Sequence, residues 1–292
     1  MKRFLSTLLT FFLLLSILPA QAQVYVKQNP PEDWQQRELF RITVFRTGEG
    51  DCMLLEAGGE CMMIDGGPYK YREDLWNALQ ERGITHMKYL FNTHPHDDHI
   101  DGLRMLMTYG LEADEFISVF PKDVKDTEGN QKKAMNALDK AGIPYRQAES
   151  GDVLTLGGAE LTVINWAEGK TINAKSAMVK LVFGDCSALF TADIIGDTEK
   201  HFLETLNPDL LKADVVKAPH HGLTPFVSAF LDAVDPAYIW VTNYQYYQHS
   251  RIEKTENQAI YRKIPIQFSG DGTIILECDG TDWYINQLSY QF

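Results

Sequence analysis

Apolar residues in this chain come in short bursts, most of them alternating with polar positions or running only five or six residues. That rhythm belongs to strands, with a few stretches of helical spacing between them. Leu39 to Phe45 (LFRITVF) alternates in this way. Residues 47–67, TGEGDCMLLEAGGECMMIDGG, read as two strands joined at Gly58-Gly59, a favoured hairpin pair. From Tyr71 to Arg82, Leu75, Ala78, Leu79 and Arg82 recur at helical spacing, and Gly83 supplies the stop. Met87 to Phe91 is a short apolar strand. A helix after Gly102, a strand at Phe116 to Phe120 and a helix over Gln131 to Ala141, closed by Gly142, come next.

The remainder is dominated by strands: GDVLTLGGAELTVIN, SAMVKLVFGDCSALFTAD, DVVKAPHHG, AYIWVTNY and PIQFSGDGTIILECDGTDWYI, with helices at Glu199 to Leu206 and Pro225 to Val234. No repeat of fixed period is visible. Each half nevertheless runs strands and then a strand–loop–helix carrying histidines, which predicts an α/β protein of two sheets packed face to face with helices outside. Residues 23–38, with two prolines and many polar groups, read as a leader segment. No low-complexity linker follows, so 39–292 is expected to be one domain.

The first 22 residues change the picture of where the chain works. Lys2 and Arg3 precede an apolar run from Phe4 to Leu18, followed by Ala20-Gln21-Ala22. A positive start, a short apolar middle and an A-x-A ending describe a secretory signal peptide cut after Ala22, and the run is short for a membrane span. The expectation is a secreted or otherwise extracytoplasmic protein with no later membrane span. Removing Lys2 and Arg3 leaves 25 basic against 40 acidic residues, a net charge of −15. So acidic a chain disfavours nucleic acid as a partner, because phosphate contacts need Lys and Arg, although a local basic groove can survive. The four cysteines (Cys52, Cys61, Cys186 and Cys278) show no C-x-x-C spacing, which argues against a cysteine zinc site and leaves three possible disulfide pairings open.

The chemistry concentrates in FNTHPHDDHIDGL, Phe91 to Leu103. Its core is His94-x-His96-x-Asp98-His99. Two histidines one residue apart in an extended segment point the same way, so both imidazoles reach one cation, while Asp98 and His99, after a turn, address a second. Other titratable residues end apolar strands elsewhere: Asp65 before Gly66-Gly67, Asp193 after Thr191-Ala192, His220 and His221 before Gly222, and His249 after three nearby tyrosines.

Together these residues resemble the metallo-β-lactamase superfamily, whose signature is an acid in a Gly-Gly turn, H-x-H-x-D-H, a bridging acid and a late histidine. More narrowly, Gly48-Glu49-Gly50-Asp51, Asp65-Gly66-Gly67, Asn173-x-x-Ser176, Thr191-Ala192-Asp193 and Pro219-His220-His221-Gly222 resemble the hydrolase domain of DNA-internalisation competence proteins and the secreted hydrolases related to it. The likeness runs from about Ile42 to Ile275. It implies an αββα four-layer sandwich with metal, zinc as one or two ions or else manganese, at one edge between the sheets.

Carried over by the resemblance, His94 and His96 hold the first metal, and Asp98, His99 and His220 or His221 the second. Asp193 bridges, and Asp65 orients a ligand histidine; His220, directly after its strand, is the slightly favoured member of its pair. Asn173, Ser176 and His249 fall to the substrate side. One departure stands out: between His99 and Asp193 there is no histidine, where many superfamily members supply another ligand to the first metal. A metal with open positions lowers the pKa of bound water to about 7 and polarises the attacked group. The expected activity is therefore hydrolysis by metal-bound hydroxide, with Asp98 or Asp193 positioning it, on a phosphodiester or other small-molecule substrate. The alternatives are a β-lactam or lactone hydrolase, or a catalytically silent secreted metal-binding protein.

Overall fold

The computed structural model describes residues 22–246, 249–289 and 291–292, so the signal-peptide reading lies, Ala22 apart, outside the described residues. The strands β1 (Gln23–Val26), β2 (Phe40–Val44), β3 (Cys52–Ala57), β4 (Glu60–Gly66), β5 (His86–Asn92), β6 (Glu112–Ser118) and β7 (Tyr145–Gln147) belong to a first sheet. A second sheet takes β8 (Val153–Leu156), β9 (Ala159–Ile164), β10 (Met178–Phe183), β11 (Cys186–Phe190), β12 (Val215–Lys217), β13 (Tyr238–Val241) and β14 (Ile266–Phe268). The chain then returns to the first sheet with β15 (Ile274–Cys278) and β16 (Asp282–Gln287).

The first sheet is ordered β1-β16-β15-β2-β3-β4-β5-β6-β7 and the second β14-β13-β12-β11-β10-β9-β8. Apart from the parallel edge pair of β1 and β16, each has an antiparallel half and a parallel half. Pairing is parallel from β4 to β7 and from β11 to β14. Parallel neighbours need crossovers, and these are the helices. In the first sheet they are α1 (Arg72–Glu81), α2 (Asp97–Tyr109) and α3 (Asn130–Ala141); in the second, α4 (Gly196–Thr205), α5 (Ser228–Val234) and α6 (His249–Arg262).

Strand residues alternate between two buried environments, which fixes the layers. Ile42, Leu55, Ile64, Leu161, Val179, Phe190 and Trp240 meet between the sheets. Leu54, Met63 and Leu90 point outward onto Leu75, Leu103 and Leu138 of the first helical layer. Leu189, Val216 and Ile239 do the same against Phe202, Phe230 and Ile252. Each such side chain, fully buried, contributes about 1.5–3 kcal/mol. The result is the αββα sandwich expected from the sequence.

Several elements differ from the sequence expectation, each for a local reason. The leader segment is built into the sheet: Gln23–Val26 pairs in parallel with β16, and Trp34 is buried with its indole N–H donating to Glu277. β6 begins at Glu112, earlier than its apolar run, because its first half is polar and lies at the surface. α6 was not legible, since its buried face consists of the sparse set Ile252, Thr255 and Ala259. α2 starts at Asp97 rather than after Gly102. Its first turn carries Asp97 and Asp98, whose charge suits the positive end of a helix but whose polarity disguises it as a loop.

Candidate metal centre

The carboxyl ends of the parallel strands of both sheets face one edge of the sandwich, and their side chains meet there. Asp65 ends β4 in the left-handed region at φ 53°. Its Oδ1 accepts from the Asn92 amide and the Thr93 backbone N–H, both at 2.9 Å. Its Oδ2 accepts from the Thr93 hydroxyl at 2.6 Å and lies 2.7 Å from His99 Nδ1. His94 and His96 follow β5 directly, and α2 presents Asp98 and His99 in its first turn. This geometry depends on a glycine crossing: a Cβ on Gly102 would collide with the Gly66 carbonyl, so α2 lies flush on the end of β4 and His99 reaches Asp65.

With Nδ1 of His99 donating to Asp65, its Nε2 faces the interior of the site. There it lies 3.2 Å from His221 Nε2 and 3.3 Å from Asp193 Oδ1. His221 Nε2 is 3.2 Å from the same Asp193 oxygen and 3.1 Å from Asp98 Oδ2. His99 Nε2, His221 Nε2 and Asp193 Oδ1 thus lie 3.2–3.3 Å from one another, Asp51 completes the buried four-residue group, and Asp98 adjoins it through His221. Ligands held about 2.1 Å from one ion at tetrahedral angles lie about 3.4 Å apart, close to the spacing seen. A second group adjoins it: His94 Nε2 is 3.1 Å from His96 Nδ1 and 3.7 Å from Asp193 Oδ2. The two oxygens of Asp193 therefore serve two groups able to hold a metal ion, one built on His94 and His96, the other on His99 and His221. Asp193 Oδ1 is buried and makes no hydrogen bond, an orphan that a divalent ion would satisfy.

The two adjacent histidines are not equivalent. The slight preference for His220 as ligand beside His99 is corrected by the geometry: His221, 1% exposed, occupies that place. Both residues are left-handed, His220 at φ 48° and His221 at φ 52°, so the chain turns their rings apart, to centroids 6.0 Å from one another.

Two residues missed from the candidate set complete the arrangement. Asp51 Oδ1 accepts from the Thr242 hydroxyl at 2.6 Å and lies 3.2 Å from His221 Nδ1, whose nearest partner is that same hydroxyl at 2.9 Å, so Asp51 and Thr242 together orient His221. Lys217, wholly buried, places its ammonium 3.0 Å from Asp51 Oδ2 and 3.8 Å from Asp193 Oδ1, and donates to the Ala192 carbonyl at 2.8 Å. Asp51 lies in Gly48-Glu49-Gly50-Asp51, where its sequence neighbours Gly50 and Cys52 give it no partner. A lysine inside a β-strand gives no sign that it is buried.

The electrostatics follow from burial and these contacts. Burial, and then the charge of His99, hold His94 well below the ordinary histidine range. Burial also opposes a proton on His99, but Asp193, Asp98 and Asp65 overcome it and raise that histidine well above normal. Asp193, Asp51 and Asp98 do the same for His221 against its burial. Asp193 is desolvated, yet His221 and His99 hold it well below the usual carboxylate range. Asp65 is raised, burial outweighing His99.

A cleft of about 590 Å³ opens onto the centre. Six carboxylates line it, those of Glu49, Asp97, Asp98, Asp126, Glu128 and Asp193, and among the described lining residues there is no Lys or Arg. His96, His220 and Asn173 share the wall. Ser176, expected on the substrate side, is buried; its hydroxyl donates to the Asn173 carbonyl at 2.7 Å, so it braces that turn instead of facing the cleft. The side chain of His249 lies outside the described residues. Tyr244 packs away from the cleft wall, hydroxyl to hydroxyl with Tyr71 at 2.7 Å. All four cysteines are free. Among the described residues no helix is long and apolar enough to cross a membrane.

The family model described as the metallo-beta-lactamase superfamily matches residues 46–239. YhfI of Bacillus subtilis, a metallo-beta-lactamase fold protein, superposes with a TM-score of 0.55 at 13% identity, covering 83% of this chain and 100% of its own. CmlA, a diiron beta-hydroxylase of Streptomyces venezuelae, superposes with a TM-score of 0.53 at 12% identity, covering 82% of this chain and 53% of its own. At such identities the likeness is one of fold. No curated protein matches the sequence.

Proposed function

This chain belongs to the metallo-β-lactamase superfamily, and from that premise we propose that it is a divalent-metal-dependent hydrolase acting outside the cytoplasm on a small phosphodiester. The observation that carries the reading is the division of Asp193: Oδ2 lies 3.7 Å from His94 Nε2, while Oδ1 lies 3.2–3.3 Å from His221 and His99. One carboxylate oxygen toward each donor group would let Asp193 serve two ions, and two ions would suit an in-line displacement. Zinc fits the nitrogen-rich donor set, and manganese the carboxylates.

When bound, the metal supplies Lewis acidity, acidifying a water and polarising the oxygen under attack. The chain's residues do the rest. Asp65 and Asp51 fix the rings of His99 and His221 so that both Nε2 lone pairs face inward. Asp98, about a quarter exposed at the cleft floor, stays ionised because His99 and His221 outweigh its desolvation. Its carboxylate can accept a hydrogen bond from the attacking water and orient it. The Asn173 amide on the cleft wall can donate to a non-bridging phosphoryl oxygen.

Substrate size follows from charge. A polyanion needs Lys and Arg along its track, and this cleft is lined with acids. A diester carrying one charge needs no such track. The Gly48-Glu49-Gly50-Asp51 and Pro219-His220-His221-Gly222 elements support the competence-type branch of the superfamily, and Lys2-Arg3 with the following apolar run supports export. The test is turnover of bis(p-nitrophenyl) phosphate and of nitrocefin by zinc- and manganese-loaded protein. Diester cleavage that falls at least 100-fold in Asp98→Ala is expected. Nitrocefin turnover without diester cleavage would replace the substrate assignment, and bound metal with neither activity would leave a binding protein.

A further inference from the structure

We infer that His220 supplies the third nitrogen of the first metal position, so that the adjacent histidines of Pro219-His220-His221-Gly222 are split, one to each ion. The inference rests on the metal-dependent reading above. It resolves the departure noted in the sequence, that no histidine stands between His99 and Asp193. Without another donor the first position holds His94, His96 and a shared carboxylate, a thin set beside the second, where Asp51, His99, Asp193 and His221 converge and Asp98 adjoins His221.

Three observations place His220 there. His220 Nε2 lies 3.8 Å from Asp193 Oδ2, the same oxygen that His94 approaches to 3.7 Å from its own side. Both distances exceed by only a few tenths of an ångström the roughly 3.4 Å separation of ligands around a tetrahedral ion. The ring is also held in a ligating orientation: Nδ1 lies 3.1 Å from the Thr224 hydroxyl, and an Nδ1–H donating to that oxygen leaves the Nε2 lone pair turned toward Asp193. Finally, the backbone is strained to achieve this. His220 and His221 are consecutive left-handed residues, and Ala192, beside Asp193, is a third at φ 48°. The His220 N–H donates to the Ala192 carbonyl at 3.0 Å, tying the two strained turns together. Consecutive residues of an extended strand would send one ring to the opposite face; this turn sends both toward Asp193.

His220 has one competing partner. The Asn173 amide lies 3.4 Å from Nε2, a long hydrogen bond onto the atom that would bind the ion. A purely structural role for His220 would consist of that bond and the one to Thr224.

The experiment counts ions in stripped and zinc-reloaded protein by elemental analysis and calorimetric titration, with circular dichroism to confirm folding. Wild type is expected to bind two ions, and His220→Ala to bind one of them at least 100-fold more weakly. That is beyond the roughly 10–100-fold cost of an outer-shell partner. Site markers assign the loss: His94→Ala/His220→Ala should lose no ion beyond that lost by His220→Ala, whereas His99→Ala/His220→Ala should lose both. Asn173→Ala, which frees Nε2, should tighten the first ion about fivefold, the effect of one lost hydrogen bond. If instead His220→Ala keeps both ions at unchanged affinity, or if Asn173→Ala reproduces its loss, His220 is structural and the inference falls. Should His220→Ala fail to fold, the Asn173→Ala titration decides alone, and an affinity left unchanged or weakened overturns it. Wild type that binds no ion would sink the metal-dependent reading itself, a separate outcome.

Discussion

Replacing Lys217 with Met tests whether a fixed positive charge beneath the site holds the centre together. Lys217 ends β12 with no exposure at all, and its ammonium lies 3.0 Å from Asp51 Oδ2. It also donates to the carbonyls of Ala192 at 2.8 Å and Ala218 at 3.2 Å. Asp51 is equally buried, and Lys217 is the largest of the influences that pull its carboxyl below the usual range against desolvation. Met fills a similar volume without charge, so Lys217→Met strips the buried Asp51 Oδ2 of its cation, leaving only Thr242 and His221 on the other oxygen, and leaves two carbonyls short of a donor. Removing one partner of a buried pair costs about 3–5 kcal/mol. At about 2–4 °C per kcal/mol for a domain of this size, the Tm of metal-free protein should fall by roughly 10 °C. Urea unfolding of Lys217→Met, Asp51→Asn and the double variant gives a double-mutant cycle. The cost of the double should be smaller than the sum of the singles by about 1–3 kcal/mol. A Lys217→Met cost under about 1 kcal/mol, or additive single costs, would refute the reasoning, because the ammonium would then be dispensable.

Other consequences follow from the same contacts. Asp65→Asn removes the carboxylate that orients His99 at 2.7 Å, and the ion held by His99 and His221 should bind about 10–100-fold more weakly in calorimetric titration while the other is little changed. Gly102→Ala drives a methyl into the Gly66 carbonyl and should cost about 3 kcal/mol in urea unfolding, with metal affinity falling as α2 shifts. Burial raises the carboxyl of Glu199 to about 7, the Val227 N–H offsetting only part of this. A raised acid stabilises fully below its ordinary pKa of about 4.5 and loses that contribution as pH rises through about 7, so wild type should weaken across this window. Glu199→Gln should flatten that slope and exceed wild type by up to about 3 kcal/mol at pH 8, read from urea midpoints at pH 5 and pH 8.

What the sequence revealed depended on how local the signal was. Strands buried on both faces announce themselves as apolar bursts, so β3, β4, β5, β10, β11 and β13 were legible, and the Gly58-Gly59 hairpin fixed a turn. The histidine motif was legible because its spacing is itself the chemistry. Asp51 and Lys217 were not, because each matters through a partner 166 positions away in the chain, and the contact exists only once the two sheets pack. The division of labour between His220 and His221 was hidden for another reason. Alternation along a strand would have placed the two rings on opposite sides, and only the left-handed backbone at both residues turns them toward one carboxylate. Ser176 was misplaced by motif likeness, since its hydroxyl is committed to the turn that carries Asn173.

The carboxylates at this edge are neutralised by three different devices, and the differences bear on what the site accepts. Asp51 has the fixed charge of Lys217, and Asp65 has donors from Asn92, Thr93 and His99. Asp98 and Asp193 depend on His99 and His221, whose protons occupy the same Nε2 atoms that a divalent ion would take. Proton and metal therefore compete for one set of lone pairs. Further out, Asp97, Asp126 and Glu128 extend the negative field along the cleft. Such a field concentrates cations near the opening and repels polyanions. The same acids that draw the ions in thus set the upper limit on the charge a substrate can bring with it.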